Sequence, residues 1–417
     1  MADKKNVRLE CSECKHINYL TRRNPKTTPE KLQQKNIVNI VVKPQFTKKL
    51  KLNKMLQTSY QIKYQYVANT LKLLNTDAIL FVSDTNRFWI TNIKTSAGLC
   101  LITKKFTYFI VDNRYYNYCK SQFLPQGIKL VASNDLSNLK RLSLLIKELK
   151  IKSLILESDY LTLKQYQQIV DELKIKNINS IDTDFLRITK TDEEIKLLKK
   201  SADIIVNVMN QTRKWLKPGV SEIQTAKFIE KLILDSTASG VSFSPIVCFG
   251  KNSANPHHAP GKSILKNNQL VLIDIGCIYQ GYCSDITRTF FIGNKKPSKD
   301  LLAMYQLVYN ANQLGIKSIH PGVTGNQIDK ICRDYIAKNK KWGKLFTHAL
   351  GHGVGINIHE LPNCAPDYKQ IIPANAVVTI EPGVYDINLV GIRIEDTVVV
   401  TNKGCINLTA KAPKDFI

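Results

Sequence analysis

QLVLIDIG (269–276) and VVTIEPG (377–383) are apolar, β-branched runs, each interrupted by one acid, Asp274 and Glu381. Runs of this composition read as buried strands. Each is followed by a second run with an acid inside it: YCSDITRTF (282–290) carries Asp285, and GIRIEDTVVV (391–400) carries Glu395. An uncompensated carboxylate in such a setting costs on the order of several kcal/mol. Four of them are hard to satisfy with Arg and Lys alone. Hard oxygen donors, together with the imidazole of His352 in GHGVG (351–355), suit a divalent metal site. More than three carboxylates suit two metals.

The surrounding text repeats. PGVSEIQ (218–224) returns as PGVTGNQ (321–327), each a Pro-Gly helix stop followed by a Ser/Thr-x-x-Gln cap. His257 and Asp274 follow the first copy much as His359 and Glu381 follow the second. The ordered recurrence marks a duplicated helix–helix–hairpin unit, and two copies imply a pseudo-twofold domain instead of a solenoid. Each half offers one histidine and two carboxylates; His352 has no counterpart. Tyr279-Gln280-Gly281 is turn-like, so Asp274 and Asp285 are expected to face each other across a hairpin. The second hairpin turns through Asp386 and Asn388. The glycines around His352 are expected to let its backbone approach a metal closely. His348 and His359 flank it at spacings that do not decide a shared face. His258 beside His257 is ambiguous. Arg393 lies two residues before Glu395 in a strand and faces the same side. It is either a substrate contact or a salt-bridge partner for a ligand carboxylate.

Upstream, residues 60–74 read as a helix, followed by strands at 78–83, 98–103 and 107–112. A helix near 138–150, a strand at 153–158 and a further helix to about 174 complete an α/β domain. Thr191-Asp192-Glu193-Glu194 is a capping box that opens the next helix.

At 417 residues, the chain has room for two domains and a large core. No apolar run is long enough to span a bilayer, and no signal peptide opens the sequence. The ten cysteines are mostly scattered singly, as reduced core thiols are. A soluble, cytoplasmic protein without a membrane partner is expected. The net charge of +26 comes from lysines spread throughout a Lys-, Asn- and Ile-rich text. That is the pattern of a basic solvated surface, so no specific nucleic-acid partner is expected.

Residues 1–54 form a strongly basic segment with a CxxC pair, Cys11 and Cys14. VRLECSECKHINYLTRRNPKTTPEKLQ resembles the start of a small zinc-ribbon protein of the bacterial large ribosomal subunit. Four thiolates hold zinc in such a ribbon, but Asn36-Ile37-Val38-Asn39-Ile40-Val41 stands where the second CxxC would follow. A one-nucleotide shift of codons for Lys-Tyr-Cys-Lys-His-Cys yields that hexapeptide. The segment is therefore read as frameshift-derived, with Met55 as the start of the downstream protein. A genuine basic extension is the alternative, and a ribosome- or RNA-binding role for it the competing function. Cys11 and Cys14 alone are not expected to hold zinc firmly.

Taken as an ordered set, VLIDIG, YCSDITRTF, GHGVGINIHE, TIEPGVY and GIRIEDT resemble the pita-bread metallopeptidases over about residues 60–410. The family includes methionine aminopeptidase, aminopeptidase P and prolidase. The resemblance implies an α/β N-terminal domain (55–185) and an α+β pita-bread catalytic domain (186–417) with internal pseudo-twofold duplication. It implies that Asp274, Asp285, His352, Glu381 and Glu395 ligate two divalent metals, Mn²⁺ fitting the oxygen-rich set best, with Co²⁺ or Zn²⁺ as alternatives. Glu381 would also move a proton, His257 and His359 would assist catalysis, and His348, Arg393 and Tyr385 would line the substrate pocket. The extra N-terminal domain resembles that of aminopeptidase P and prolidase. It implies a homodimer acting on short proline-containing peptides, as a Xaa-Pro aminopeptidase or alternatively a Xaa-Pro dipeptidase.

Overall fold

The computed structural model describes residues 5–10, 17–23 and 35–417, with side chains from residue 51 onward. It divides into a unit of Met1–Tyr60 and a unit of Gln61–Ile417. The first contains an antiparallel pair, β1 (Lys5–Glu10) and β2 (Ile17–Arg23). Cys11 and Cys14 lie outside the described residues. Helix α1 (Lys35–Leu73) runs without a break through Met55, so the helix expected at 60–74 is the end of a longer one.

The N-terminal part of the second unit is a six-stranded mixed sheet flanked by helices. In chain order its elements are β3 (Ala78–Phe81), α2 (Asp84–Thr91), β4 (Leu99–Thr103), β5 (Thr107–Val111), α3 (Asn113–Ser121), β6 (Ile128–Ala132), α4 (Asn138–Glu148), β7 (Ser153–Glu157), α5 (Leu163–Leu173) and β8 (Asn177–Ile181). The strand order is β6-β5-β4-β3-β7-β8. The central strands β3, β4 and β5 carry continuous apolar runs and are buried on both faces. The edge strands β6 (IKLVA) and β8 (NINSI) are partly exposed, and β8 is polar. Edge strands need no apolar run, so β8 carries no strand signal in the sequence, whereas the IKLVA run of β6 does. A short 3₁₀ turn, Asp184–Arg187, leads out of this domain.

The C-terminal part begins with α6 (Asp192–Trp215), whose Thr191–Glu194 capping box is formed as expected, and α7 (Glu222–Leu234). Strands β9 (Gly240–Val241), β10 (Ile246–Phe249), β11 (Gln269–Ile275), β12 (Cys277–Tyr279), β13 (Tyr282–Cys283) and β14 (Ile286–Ile292) follow. The second half opens with α8 (Lys299–Ser318) and α9 (Gly325–Ala337). Strands β15 (Gly351–Gly353), β16 (Glu360–Cys364), β17 (Val377–Ile380), β18 (Gly383–Tyr385), β19 (Gly391–Arg393), β20 (Asp396–Thr401) and β21 (Gly404–Asn407) complete it.

The duplication is visible residue by residue. Capping boxes open α7 at Ser221/Gln224 and α9 at Thr324/Gln327. Each cap residue also makes an isolated antiparallel bridge, Ser221 to Ile264 and Thr324 to Ile371. Each half then sends out a kinked hairpin: β11/β14 continuing into β12/β13, and β17/β20 continuing into β18/β19. Helices α6 and α7 pack on the first sheet around Val271, Ile273 and Ile286. Helices α8 and α9 pack on the second around Val378, Ile380 and Val398, and Leu270, Leu272 and Phe291 of the first half join that core. The fold is the expected one: an α/β domain followed by a duplicated α+β pita-bread domain.

One detail differs from the expected hairpin. Asp274 stands opposite Thr287, and Asp285 sits just outside β14, so the two acids are not register partners. The chain kinks between the two strand pairs, and the kink turns Asp285 inward.

Candidate metal centre and active site

The two kinks put their acids at one cavity of about 560 Å³. Asp274, Asp285, His352, Glu381 and Glu395 all line it, as do His257, His348, His359 and Arg393. Asp285, His352 and Glu395 bring ligand atoms within 4.8 Å of one another. His352 Nε2 lies 3.3 Å from Glu381 Oε1 and 3.6 Å from Asp285 Oδ2.

The local backbone explains these positions. Gly351 and Gly353 do not lend space to a metal. A Cβ at Gly351 would overlap the Thr379 carbonyl of β17, and one at Gly353 would overlap the Glu360 carbonyl of β16. The glycines let three strands close up, and the His352 ring is left facing the cavity. His352 Nδ1 donates to the Gly353 carbonyl at 3.0 Å, which fixes the tautomer and turns the Nε2 lone pair toward the acids. Burial lowers the pKa of this imidazole and keeps it neutral, as a ligand must be.

Threonines orient two of the carboxylates. The Thr287 hydroxyl donates to Glu395 Oε2 at 2.8 Å, and the Thr379 hydroxyl donates to Glu381 Oε1 at 3.0 Å. Thr379 lies two residues before the acid it orients, whereas Thr287 orients an acid 108 residues away in the other lobe.

Burial pushes the Asp285 carboxyl well up, and Glu395, Asp274 and Glu381 push it further. Glu395 is raised well up by burial, then by Glu381 and Asp274. Glu381 is raised by burial, against the opposing pull of His348 and Arg393. Asp274 Oδ1 and Glu395 Oε1 are buried without a hydrogen-bond donor. Mutually repelling acids with orphaned oxygens beside a neutral imidazole fit hard divalent cations.

The remaining expected residues form a connected flank. Arg393 Nη2 donates to Asp274 Oδ2 at 2.7 Å, and Nη1 donates to the Tyr385 hydroxyl at 2.8 Å. That hydroxyl lies 2.9 Å from His348 Nε2. His348 Nδ1 lies 2.7 Å from the Ala349 carbonyl, so Nδ1 donates there and Nε2 accepts from Tyr385. Arg393 is thus a salt-bridge partner of an acid and lines the cavity as well. Tyr385 stands behind His348 and Arg393 and does not line the cavity. The His359 ring meets the His352 ring edge-on, with centroids 4.2 Å apart. His258, left ambiguous by the sequence, pairs with buried Glu222 at 2.8 Å.

Residues 196–402 match the model of metallopeptidase family M24, and residues 65–188 match that of the creatinase/prolidase N-terminal domain. Residues 5–36 match that of ribosomal protein L33. A Mycoplasma genitalium protein named "Putative Xaa-Pro aminopeptidase" is 39% identical over 85% of this chain and 99% of its own length. Among solved structures, the Xaa-Pro dipeptidase from Bacillus anthracis is 33% identical, with a TM-score of 0.81 over 86% of this chain and 99% of that one. The prolidase from Pyrococcus horikoshii is 29% identical, with a TM-score of 0.76 over 85% of this chain and 99% of that one. Fold, acid cage and relatives converge: the chain belongs to metallopeptidase family M24 and is a hydrolase that cleaves peptides.

Proposed function

We propose that the chain is a dinuclear, metal-dependent Xaa-Pro aminopeptidase that releases the first residue of short peptides with proline second. The observation that carries this reading is the convergence of four acids and His352 on one cavity. Asp274, Asp285, His352, Glu381 and Glu395 would hold two divalent ions, with manganese preferred for the oxygen-rich set. Ions bound there would supply an acidified water and a polarised scissile carbonyl.

The protein's own groups do the rest. The Glu381 carboxyl is raised by burial, which brings it toward the range where it can take and return a proton. His359 is lowered by burial and by the neighbouring His352, so it stays neutral and can donate a hydrogen bond to a developing oxyanion. His257 lines the cavity from the opposite lobe and would offer a second hydrogen bond to that oxyanion. His348 and Arg393 bind substrate at the flank, and Tyr385 orients them both.

A second reading, Xaa-Pro dipeptidase, is favoured by the names of the Bacillus anthracis and Pyrococcus horikoshii neighbours. Comparing kcat/KM on a Xaa-Pro dipeptide with that on the matching Xaa-Pro-Xaa tripeptide decides. Preference for the tripeptide supports the aminopeptidase; turnover of the dipeptide alone overturns it.

The proposal extends to a cytoplasmic homodimer. The eight cysteines among the residues with described side chains are free, and among the described residues no helix is long and apolar enough to cross a membrane. Sedimentation of the purified chain tests the dimer. For residues 1–54 the proposal is a frameshift origin, supported by the L33 match ending at Asn36, where a second CxxC would begin. Intact mass of the cellular protein tests it: a chain beginning at Met55 agrees, and the full 417 residues would refute it.

A further inference from the structure

We infer that Glu360 is a positioning residue for His359, and that the N-terminal domain fixes that position through a buried polar strut. The inference rests on the reading of His359 as a hydrogen-bond donor to the reacting peptide.

His359 is open to the cavity, whereas its neighbour Glu360 is buried. Glu360 Oε1 accepts from Lys190 Nζ at 2.6 Å, and Oε2 lies 3.6 Å from Arg187 Nε. The Lys190 and Glu360 side chains are each 1% exposed and that of Arg187 is 3% exposed. Both cations come from the segment that links the two domains. The Arg187 guanidinium continues the strut to Asn86 Oδ1 and Asp184 Oδ1. Asn86 Nδ2 in turn donates to Glu157 Oε1 at 2.6 Å and to Thr183 Oγ1 at 2.7 Å. A second contact runs in parallel, with the Thr85 hydroxyl of α2 donating to Asn357 Oδ1 at 3.0 Å.

The loop from His352 to His359 is wrapped around this carboxylate. The Asn357 N–H points at Glu360 Oε2 across 3.4 Å, and a Cβ at Gly355 would overlap the carboxylate itself. Glu360, Arg187 and Lys190 do not line the active-site cavity. Burying three charges there is an expensive way to fill space, since apolar side chains of similar volume do it more cheaply. What the charges add is direction: the carboxylate has one orientation that meets both cations. That orientation fixes the residue next to it, and a catalytic donor tolerates little displacement. The N-terminal domain therefore acts on chemistry within its own chain, through Arg187 and Lys190.

The test is a double-mutant cycle of Glu360→Gln with His359→Ala, read as kcat and KM on a Xaa-Pro peptide. Glu360→Gln keeps the shape and removes the charge. It is expected to lower kcat about ten- to hundredfold with KM nearly unchanged. In the His359→Ala background, it is expected to cost nothing further. Amides of residues 354–360 in the metal-free variant are expected to exchange hydrogen faster than in the parent. Multiplying effects in the double variant, or parental kcat in Glu360→Gln, would overturn the strut. Parental kcat in His359→Ala would remove the donor reading and the strut together, whereas a slow His359→Ala beside a fast Glu360→Gln removes the strut alone. If Glu360→Gln does not fold, Thr85→Val takes its place. A loss of about two- to fivefold, absent in the His359→Ala background, is then expected. An unchanged kcat overturns the inference.

Discussion

Glu395 is held from three directions. Its Oε2 accepts from Thr287, its N–H donates to the Thr287 carbonyl at 3.1 Å, and its own carbonyl accepts from Arg288. Its Oε1 is left over. A side chain this constrained, with one oxygen unspent, is placed for a cation. Glu395→Ala is expected to abolish turnover and to lower bound metal, read by elemental analysis after gel filtration. Retained activity would contradict a two-metal site. The acids were legible in the sequence because an acid inside an apolar run is anomalous. Glu222 and Glu360 are as deeply buried but were not legible. Their partners lie far away in sequence, at Phe249 and Gly261 for one and at Lys190 for the other. Local text does not announce a carboxylate whose compensation is long-range. Thr287 and Thr379 escaped for the opposite reason, since threonine is ordinary in a strand.

At the scale of elements, the two halves solve one problem differently. In the first, Glu222 at the start of α7 accepts from the Phe249 and Gly261 N–H groups and from Asn252, pinning the loop that carries His257. In the second, the matching position of the repeat is Gly325, where a Cβ would overlap the Asn363 carbonyl. The task passes along α9 to Asp329, about one turn on, and Arg333, about two turns on. Asp329 accepts from the Leu350 N–H at 3.0 Å, and Arg333 donates to the Phe346 and His348 carbonyls. The sequence repeat disclosed the duplicated frame but not this division of labour. Helix α8 adds a pin of its own: buried Asn312 donates to the Ile380 carbonyl at 2.8 Å and approaches the Ile394 carbonyl at 3.3 Å. Those carbonyls precede Glu381 and Glu395. Asn312→Leu is expected to destabilise the protein by about 1–3 kcal/mol in urea unfolding. Bound metal should recover part of that loss.

At the scale of the whole molecule, one acid-sensitive group lies away from the cavity. Burial pushes the Asp396 carboxyl up, but Arg288 and Lys414 outweigh it and hold it at about 2. A carboxyl depressed on folding contributes stability above its unfolded value near 3.9 and loses it as pH falls toward 2. The loss amounts to about 2 kcal/mol. Asp396→Asn is expected to lack this fall between about pH 4 and pH 2, measured as urea-unfolding free energy beside the parent. An identical slope in both proteins would place the acid sensitivity elsewhere.

The first lobe supplies Asp274 and Asp285; the second supplies His352, Glu381 and Glu395. Leu270, Leu272 and Phe291 of the first also complete the apolar interior of the second. Severing the backbone in the short connection between β14 and α8 would leave two inert fragments with complementary sticky surfaces. Mixing the two fragments is expected to restore hydrolysis that neither shows alone, since each lacks part of the acid set and of the shared core.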